Sequence, residues 1–313
     1  MVTFLSSSTI IRTMDDIRKR IAALKEERNA LILAHNYCLP EVQGIADHIG
    51  DSLGLSIIAS ETDRDVIVFC GVSFMCESAK ILNPDKTVLM PEKEALCPMA
   101  SMCDAEQLAS FRASNPGTAI VGYVNSTASS KCEMDLCCTS SNAVKAVSSL
   151  TEENVLFVPD RNLGSYVASK VPSKNMRVWS GYCCTHHSIT EESVTDLKEK
   201  YPDSVVLAHP ECRPPVLAMA DYIGSTENMM TFAHGSVAKE FVILTEVGMR
   251  YRLEKENPGK TFHFPDAAIC TMMKMTTLRS VLRALENMET EVVLSDDIIE
   301  KASVPLRRMI GIK

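Results

Sequence analysis

LILAHNYCLPEVQGIADHIGDS, residues 31–52, is the stretch on which the reading of this chain turns. Leu31, Ile32 and Leu33 form a short apolar run that predicts a buried strand, and the run ends in polar His35, Asn36 and Tyr37. A helix opened by Pro40 is expected next, then a turn at Gly50-Asp51-Ser52 ahead of another helical run. Open α/β sheets gather their ligand-binding groups at the carboxyl ends of strands, so the polar strand end marks a candidate site.

Working outward, Met14 to Ala30 has the period of an amphipathic helix, with Ile17, Ile21 and Leu24 on one face. Apolar strands are expected at Asp65–Phe74 and Thr87–Pro91, with helical ESAKIL between them. After Cys97 the pattern restarts. A helix is expected over Ser101–Ser114 and strands over Ala119–Asn125, Val155–Asp160 and Met176–Trp179, with a turn and a helix in Asp135–Val147. A third round brings a helix at Glu191–Lys200, strands at Val205–Glu211, Phe241–Glu246 and Thr261–Phe264, and a largely helical remainder from Met272. Short apolar strands alternating with helices predict an α/β fold with parallel sheets.

The rounds also align residue by residue. Ala46-Asp47-His48-Ile49-Gly50-Asp51-Ser52 matches Ala220-Asp221-Tyr222-Ile223-Gly224-Ser225-Thr226 at an offset of 174, with Met134–Ser140 lying 88 after the first and 86 before the third. Cys97, Cys183 and Cys270 are 86 and 87 residues apart, a spacing that Cys184 would satisfy as well as Cys183. Self-similarity at a fixed period argues for three repeated units. The expected architecture is three pseudo-threefold-related αβα units around a central site: residues 1–96, 97–182 and 183–270, with 271–313 packing back on the first.

Composition narrows the function classes. The chain has 313 residues, 46% hydrophobic and 23% charged, with a net charge of −8, which is globular and argues against a nucleic-acid surface. No apolar run approaches the roughly eighteen residues of a membrane span. The start, MVTFLSSSTIIRT, lacks the basic and apolar regions of a signal peptide and reads as a poorly ordered lead-in. Twelve cysteines without a Cys-x-x-Cys spacing fit neither a disulfide framework nor a zinc ribbon; most read as small buried hydrophobes of a cytoplasmic protein.

Three equivalent turns carry Ser or Thr: Ser52, Thr139 with Ser140, and Ser225 with Thr226. Helix N-termini there would favour a carboxylate or phosphate, although capping alone accounts for any one of them. The strand ends offer His35, Tyr37, Tyr123, Asn125, His209 and Glu211, and the two histidines lie 174 apart. His, Tyr and Glu are suited to proton transfer if they converge. Three thiolates brought together hold a cubane iron–sulfur cluster with one iron free to act as a Lewis acid. On spacing alone, three buried structural cysteines explain the pattern equally well.

Taken together, LAHNY (33–37), IADHIGDSLGLS (45–56), ALCPMA (95–100), YVNST (123–127), CTSSNAV (138–144), GYCCTHH (181–187), HPEC (209–212), TEVGM (245–249) and ICTMMKMTTL (269–278) resemble the quinolinate synthases of NAD biosynthesis. The resemblance runs from Leu31 to about Ile312. It implies a triplicated α/β fold and a [4Fe–4S] cluster held by Cys97, Cys183 and Cys270, the Cys-x-x-His pattern favouring Cys183 over Cys184. It implies condensation of iminoaspartate with dihydroxyacetone phosphate, losing phosphate and two waters. His35, Ser52, Tyr123, Asn125, Ser140, His186, His209, Ser225 and Thr226 would bind substrates. Tyr37 and Glu211, with Tyr123, would move protons. An L-aspartate oxidase or dehydrogenase is the implied source of the imine. The alternatives are an iron–sulfur hydro-lyase acting on another hydroxy acid and a non-catalytic cluster-bearing sensor. The sensor would need a DNA- or partner-binding segment that no basic helix here supplies.

Overall fold

A computed structural model of the chain describes residues 7–312. Of the lead-in expected over residues 1–13, the first six lie outside the described residues and the rest opens helix α1 (Ser7–Glu27), which starts earlier than the expected Met14.

The first unit then runs β1 (Ala30–His35), α2 (Pro40–Gln43), β2 (His48–Gly50), α3 (Ser52–Glu61), β3 (Val66–Cys70), α4 (Ser73–Leu82) and β4 (Thr87–Leu89). The expected helix at 101–114 divides into a 3-10 turn (Pro98–Met102) and α5 (Ala105–Ser114), because Asp104 caps the latter and restarts the backbone. The second unit repeats the order: β5 (Ala119–Tyr123), α6 (Ala128–Lys131), β6 (Leu136–Cys138), α7 (Ala143–Ser148), β7 (Asn154–Val158), α8 (Arg161–Lys170), β8 (Asn175–Val178). Helices α9 (Cys184–His187) and α10 (Glu191–Lys200) lead to the third: β9 (Val205–Ala208), α11 (Pro214–Leu217), β10 (Tyr222–Ile223), α12 (Thr226–Gly235), β11 (Glu240–Leu244), α13 (Met249–Glu256), β12 (Thr261–His263). Two more helices follow, α14 (Leu278–Asn287) and α15 (Asp296–Ile310).

Each unit forms one four-stranded, all-parallel sheet, and the three sheets share one strand order: β2-β1-β3-β4, β6-β5-β7-β8 and β10-β9-β11-β12. The protein is therefore α/β, built from three sheets of one topology flanked by helices. Because both faces of a parallel sheet are covered, its central strands are continuously apolar: Ile32 and Leu33, Ile120 and Val121, and Val206 and Leu207 are all buried.

The second strand of each unit lies where the sequence pattern predicted only a helix and a turn. Two or three residues are too few to display a period. The reason these segments pair is the aspartate of the repeated motif. Asp47, Asp135 and Asp221 each donate the backbone N–H to a carbonyl of the central strand and accept, through the side chain, the N–H of Ile32 (2.8 Å), Ile120 (2.7 Å) and Val206 (2.8 Å). One side chain thus ends each connection and starts the parallel ladder, which is why the same residue recurs at these three positions.

The carboxyl ends of β1, β5 and β9 deliver His35, Tyr123 and, one residue on, His209. Helix α14 packs on α1, whereas α15 lies across α4 of the first unit and α6 and β6 of the second, burying Ala302, Leu306 and Met309.

Candidate active site

Two adjoining cavities open at these strand ends. The larger, of about 230 Å³, is lined by Cys97, Cys183 and Cys270, one from each round, with Tyr37, His186 and Glu211. Each cysteine precedes a short helical turn: Pro98–Met102, α9 and Met272–Lys274. Backbone amides of Ala100, His186 and Met273 are aimed at the three sulfurs and favour the thiolate. Burial works against it, pushing Cys97 up to about 12 and raising Cys183 and Cys270 also. Such thiols are neutral until a cation arrives to compensate them. Among the described residues none of the twelve cysteines forms a disulfide. Cys184 begins α9 and is exposed, though it too reaches the cavity rim.

Two buried carboxylates hold the cysteine loops from behind. Asp160 accepts the Cys183 N–H at 2.9 Å and the Leu163 N–H at 2.6 Å. Glu246 accepts the Cys270 N–H at 3.0 Å, the Gly248 N–H at 2.7 Å and the Lys274 ammonium at 2.9 Å. Lys274 also donates to the Tyr37 carbonyl at 2.6 Å, tying the third unit to the first strand end. No sequence motif marks this pair, yet Asp160 and Glu246 lie 86 apart, the repeat spacing itself. We expect Asp160→Ala and Glu246→Ala each to cost about 1–3 kcal/mol by orphaning two buried amides. Urea denaturation curves check this, and an unchanged midpoint contradicts it.

The smaller cavity, about 40 Å³, is lined by His35, Ser52, Tyr123, Ser140, His209 and Thr226. Tyr37, Asn125, Glu211 and Met273 border both cavities. Of the residues expected from the sequence, Ser225 lines neither. It is the N-cap of α12, its hydroxyl donating to Asn228 Oδ1 at 2.9 Å and accepting the Asn228 N–H at 3.3 Å. The three helix starts also differ from one another. Asp51, not Ser52, caps α3 and also takes the Ser141 hydroxyl, while Asn142 closes the turn ahead of α7.

Glu211 sits at the centre. Its Oε2 is 3.1 Å from His209 Nδ1 and 3.2 Å from His186 Nδ1, and the two imidazoles stack with centroids 4.5 Å apart. Burial raises the Glu211 carboxyl above its usual range and holds both histidines down at about 3. The rings are therefore neutral and these contacts are not ion pairs; the Glu211 backbone N–H itself donates to His209 Nδ1 at 3.4 Å. His186 Nδ1 is also 3.2 Å from Cys183 Sγ, and its Nε2 is 2.8 Å from Thr245 Oγ1, which lies 2.6 Å from the Tyr37 hydroxyl. Thr245, also not anticipated, thus links Tyr37 to His186 and onward to Glu211. Glu211 Oε1 and Asn125 Oδ1 are buried with no hydrogen-bond partner, two acceptors directed into the shared wall. Cys183, His186 and Glu211 bring one donor atom each within 4.8 Å of one another, a set able to hold a metal ion.

A family model described as quinolinate synthetase A protein matches residues 19–311. The chain belongs to the quinolinate synthetase A family. Its relatives include the quinolinate synthase of Alkaliphilus metalliredigens, 48% identical over 301 residues that cover 96% of this chain and 98% of that one. That of Dehalococcoides mccartyi is 50% identical over 297 residues, covering 95% and 98%. Quinolinate synthase 1 of Methanosarcina acetivorans is 49% identical over 299 residues, also covering 95% and 98%. The quinolinate synthases are enzymes of NAD biosynthesis that act on small molecules. No helix among the described residues is long and apolar enough to cross a membrane.

The buried histidines give this family member an acid limit. His35 and His209 ordinarily titrate near 6.5 but are held at about 3, chiefly by burial. Between those values the unfolded chain binds protons that the folded one refuses. Their contribution to stability is complete above about 6.5 and is lost as the pH falls toward 3. A melting temperature that falls through this window is expected; a flat profile from pH 7 to 4 contradicts it.

Proposed function

We propose that this chain condenses iminoaspartate with dihydroxyacetone phosphate, releasing phosphate and two waters to form quinolinate. The observation that carries the reading is the shared wall. Three thiols from three units line one cavity, and Tyr37, Asn125 and Glu211 separate it from a second cavity rich in hydroxyls and imidazoles.

Cys97, Cys183 and Cys270 would hold a [4Fe–4S] cluster, and three neutral, half-buried thiols with amides aimed at their sulfurs suit that role. When bound, the cluster supplies an iron without a protein ligand, a Lewis acid for substrate oxygen. The overall reaction transfers no net electrons, so no redox role is required of it.

The protein side chains divide the remaining work. His35, Ser52, Tyr123, Asn125, Ser140, His186, His209 and Thr226 bind the two anionic substrates, with Ser225 setting the start of α12 beneath Thr226. Glu211, raised by burial and set against two neutral imidazoles, takes up and returns a proton. Tyr37 exchanges protons through Thr245 and His186, and Tyr123, beside Glu211, is the third proton-transfer group. The enzyme works in the cytoplasm, and an L-aspartate oxidase or dehydrogenase supplies the imine.

The test is quinolinate formation from the two substrates by anaerobically purified protein. Dehydration of another hydroxy acid with no quinolinate would instead establish the hydro-lyase reading.

A further inference from the structure

Asn36 follows β1 and is completely buried, yet it lines neither cavity. Its side-chain oxygen accepts from Arg252 Nη1 at 2.8 Å. Its side-chain nitrogen faces Thr226 Oγ1 at 2.9 Å and Glu227 Oε1 at 3.2 Å. A guanidinium can only donate and a carboxylate only accept, so one amide orientation satisfies all three neighbours. In that orientation Asn36 donates to Thr226. The Thr226 oxygen already accepts this bond, so its own proton is free to point elsewhere. Thr226 is the first residue of the ten-residue helix α12 and lines the smaller cavity.

Arg252 is not positioned to attract substrate by charge. Its guanidinium also bonds Glu227 at 2.5 Å and Glu256 at 2.8 Å, so two carboxylates offset it. What it can do is fix the polarity of the chain that ends at Thr226. We propose that Arg252, acting through Asn36, holds the Thr226 hydroxyl as a hydrogen-bond donor to a substrate oxyanion in the smaller cavity. Arg252 and Asn36 are positioning residues; Thr226 makes the contact. Thr226 opens α12, so the positive end of that helix dipole would favour the same anion. The substrate identity rests on the condensation reading above, and both substrates carry oxyanions, carboxylate in one and phosphate in the other.

Asn36→Asp is the decisive substitution. Aspartate still accepts from Arg252, but it must also accept the Thr226 proton, which reverses the hydroxyl. The probes are quinolinate, for carboxylate, and dihydroxyacetone phosphate, for phosphate, titrated calorimetrically into iron-loaded enzyme. We expect Thr226→Val to weaken at least one probe about tenfold, the worth of one hydrogen bond to a charged group. Asn36→Asp should weaken the same probe equally, and the double variant should lose nothing more. Thr226→Ser should bind as wild type. Binding by Asn36→Asp at the wild-type level, additive losses in the double variant, or wild-type binding to neither probe overturns the proposal.

A third carboxylate beside Glu227 can prevent Asn36→Asp from folding, so Arg252→Met serves as the second variant. It leaves the amide free to turn and is expected to weaken the affected probe about threefold, seen in KM rather than in kcat. Unchanged affinity in folded Arg252→Met overturns the proposal. A wild-type protein that binds the probes without making quinolinate sinks the condensation reading and leaves this one standing.

Discussion

Glu211→Gln is expected to keep its iron and lose turnover, with kcat falling about 10²–10⁴-fold, the range of a lost general acid–base group. The substitution preserves shape and keeps a polar group against His186 and His209. It removes the one feature the mechanism needs, a carboxyl able to take a proton and give it back. Burial has raised that carboxyl above its usual range, and Oε1 is where a substrate proton would arrive. Iron content separates the two roles open to this residue. If Glu211 were instead a metal ligand in the set with Cys183 and His186, iron would leave with the carboxylate. Near-wild-type turnover would remove Glu211 from the catalytic groups altogether.

The second large effect is expected from the cysteines. Cys97→Ala, Cys183→Ala and Cys270→Ala should each reduce bound iron and sulfide to background after anaerobic purification, and abolish activity with them. Losing one thiolate from a three-thiolate site leaves a further iron without protein support. Cys184→Ala should retain the cluster, because Cys184 is exposed whereas Cys183 is paired with His186 Nδ1 and anchored by Asp160. Loading the apo protein should also release protons, since a Cys97 thiol at about 12 must deprotonate on binding iron. Iron retained in Cys183→Ala would transfer the ligand role to Cys184.

How much of this was legible in the sequence depended on the length of each signal. The central strands were plain because both sheet faces are covered, which leaves apolar runs such as Leu31–Leu33 and Val205–Leu207. The cysteine spacing was plain because strands, helices and loops of similar length repeat three times. β2, β6 and β10 were not, since they are held by one aspartate each and not by a pattern. The helix starts were read as alike from their Ser and Thr residues, whereas the caps are Asp51, Asn142 and Ser225 and do different things. Asp160, Glu246 and Thr245 went unread for another reason. Their work is to satisfy amides and hydroxyls brought close only by folding, and the positions corresponding to Asp160 and Glu246 in the first unit fall at Val72, which can do no such work.

Helix α15 bears on the order in which the protein is made. Synthesis proceeds from the N-terminus, and early segments fold while later ones are still being added. All three sheets precede α15, yet Asn142, which closes the turn after Ser140, donates its side-chain amide to the Met309 carbonyl at 3.1 Å. Residues 296–310 also cover the seam between α4 and α6. On the ribosome, then, the Ser140 wall of the smaller cavity stays without its anchor until the helix beyond all three sheets has emerged. The nascent chain can assemble its sheets early, but this cavity is finished late.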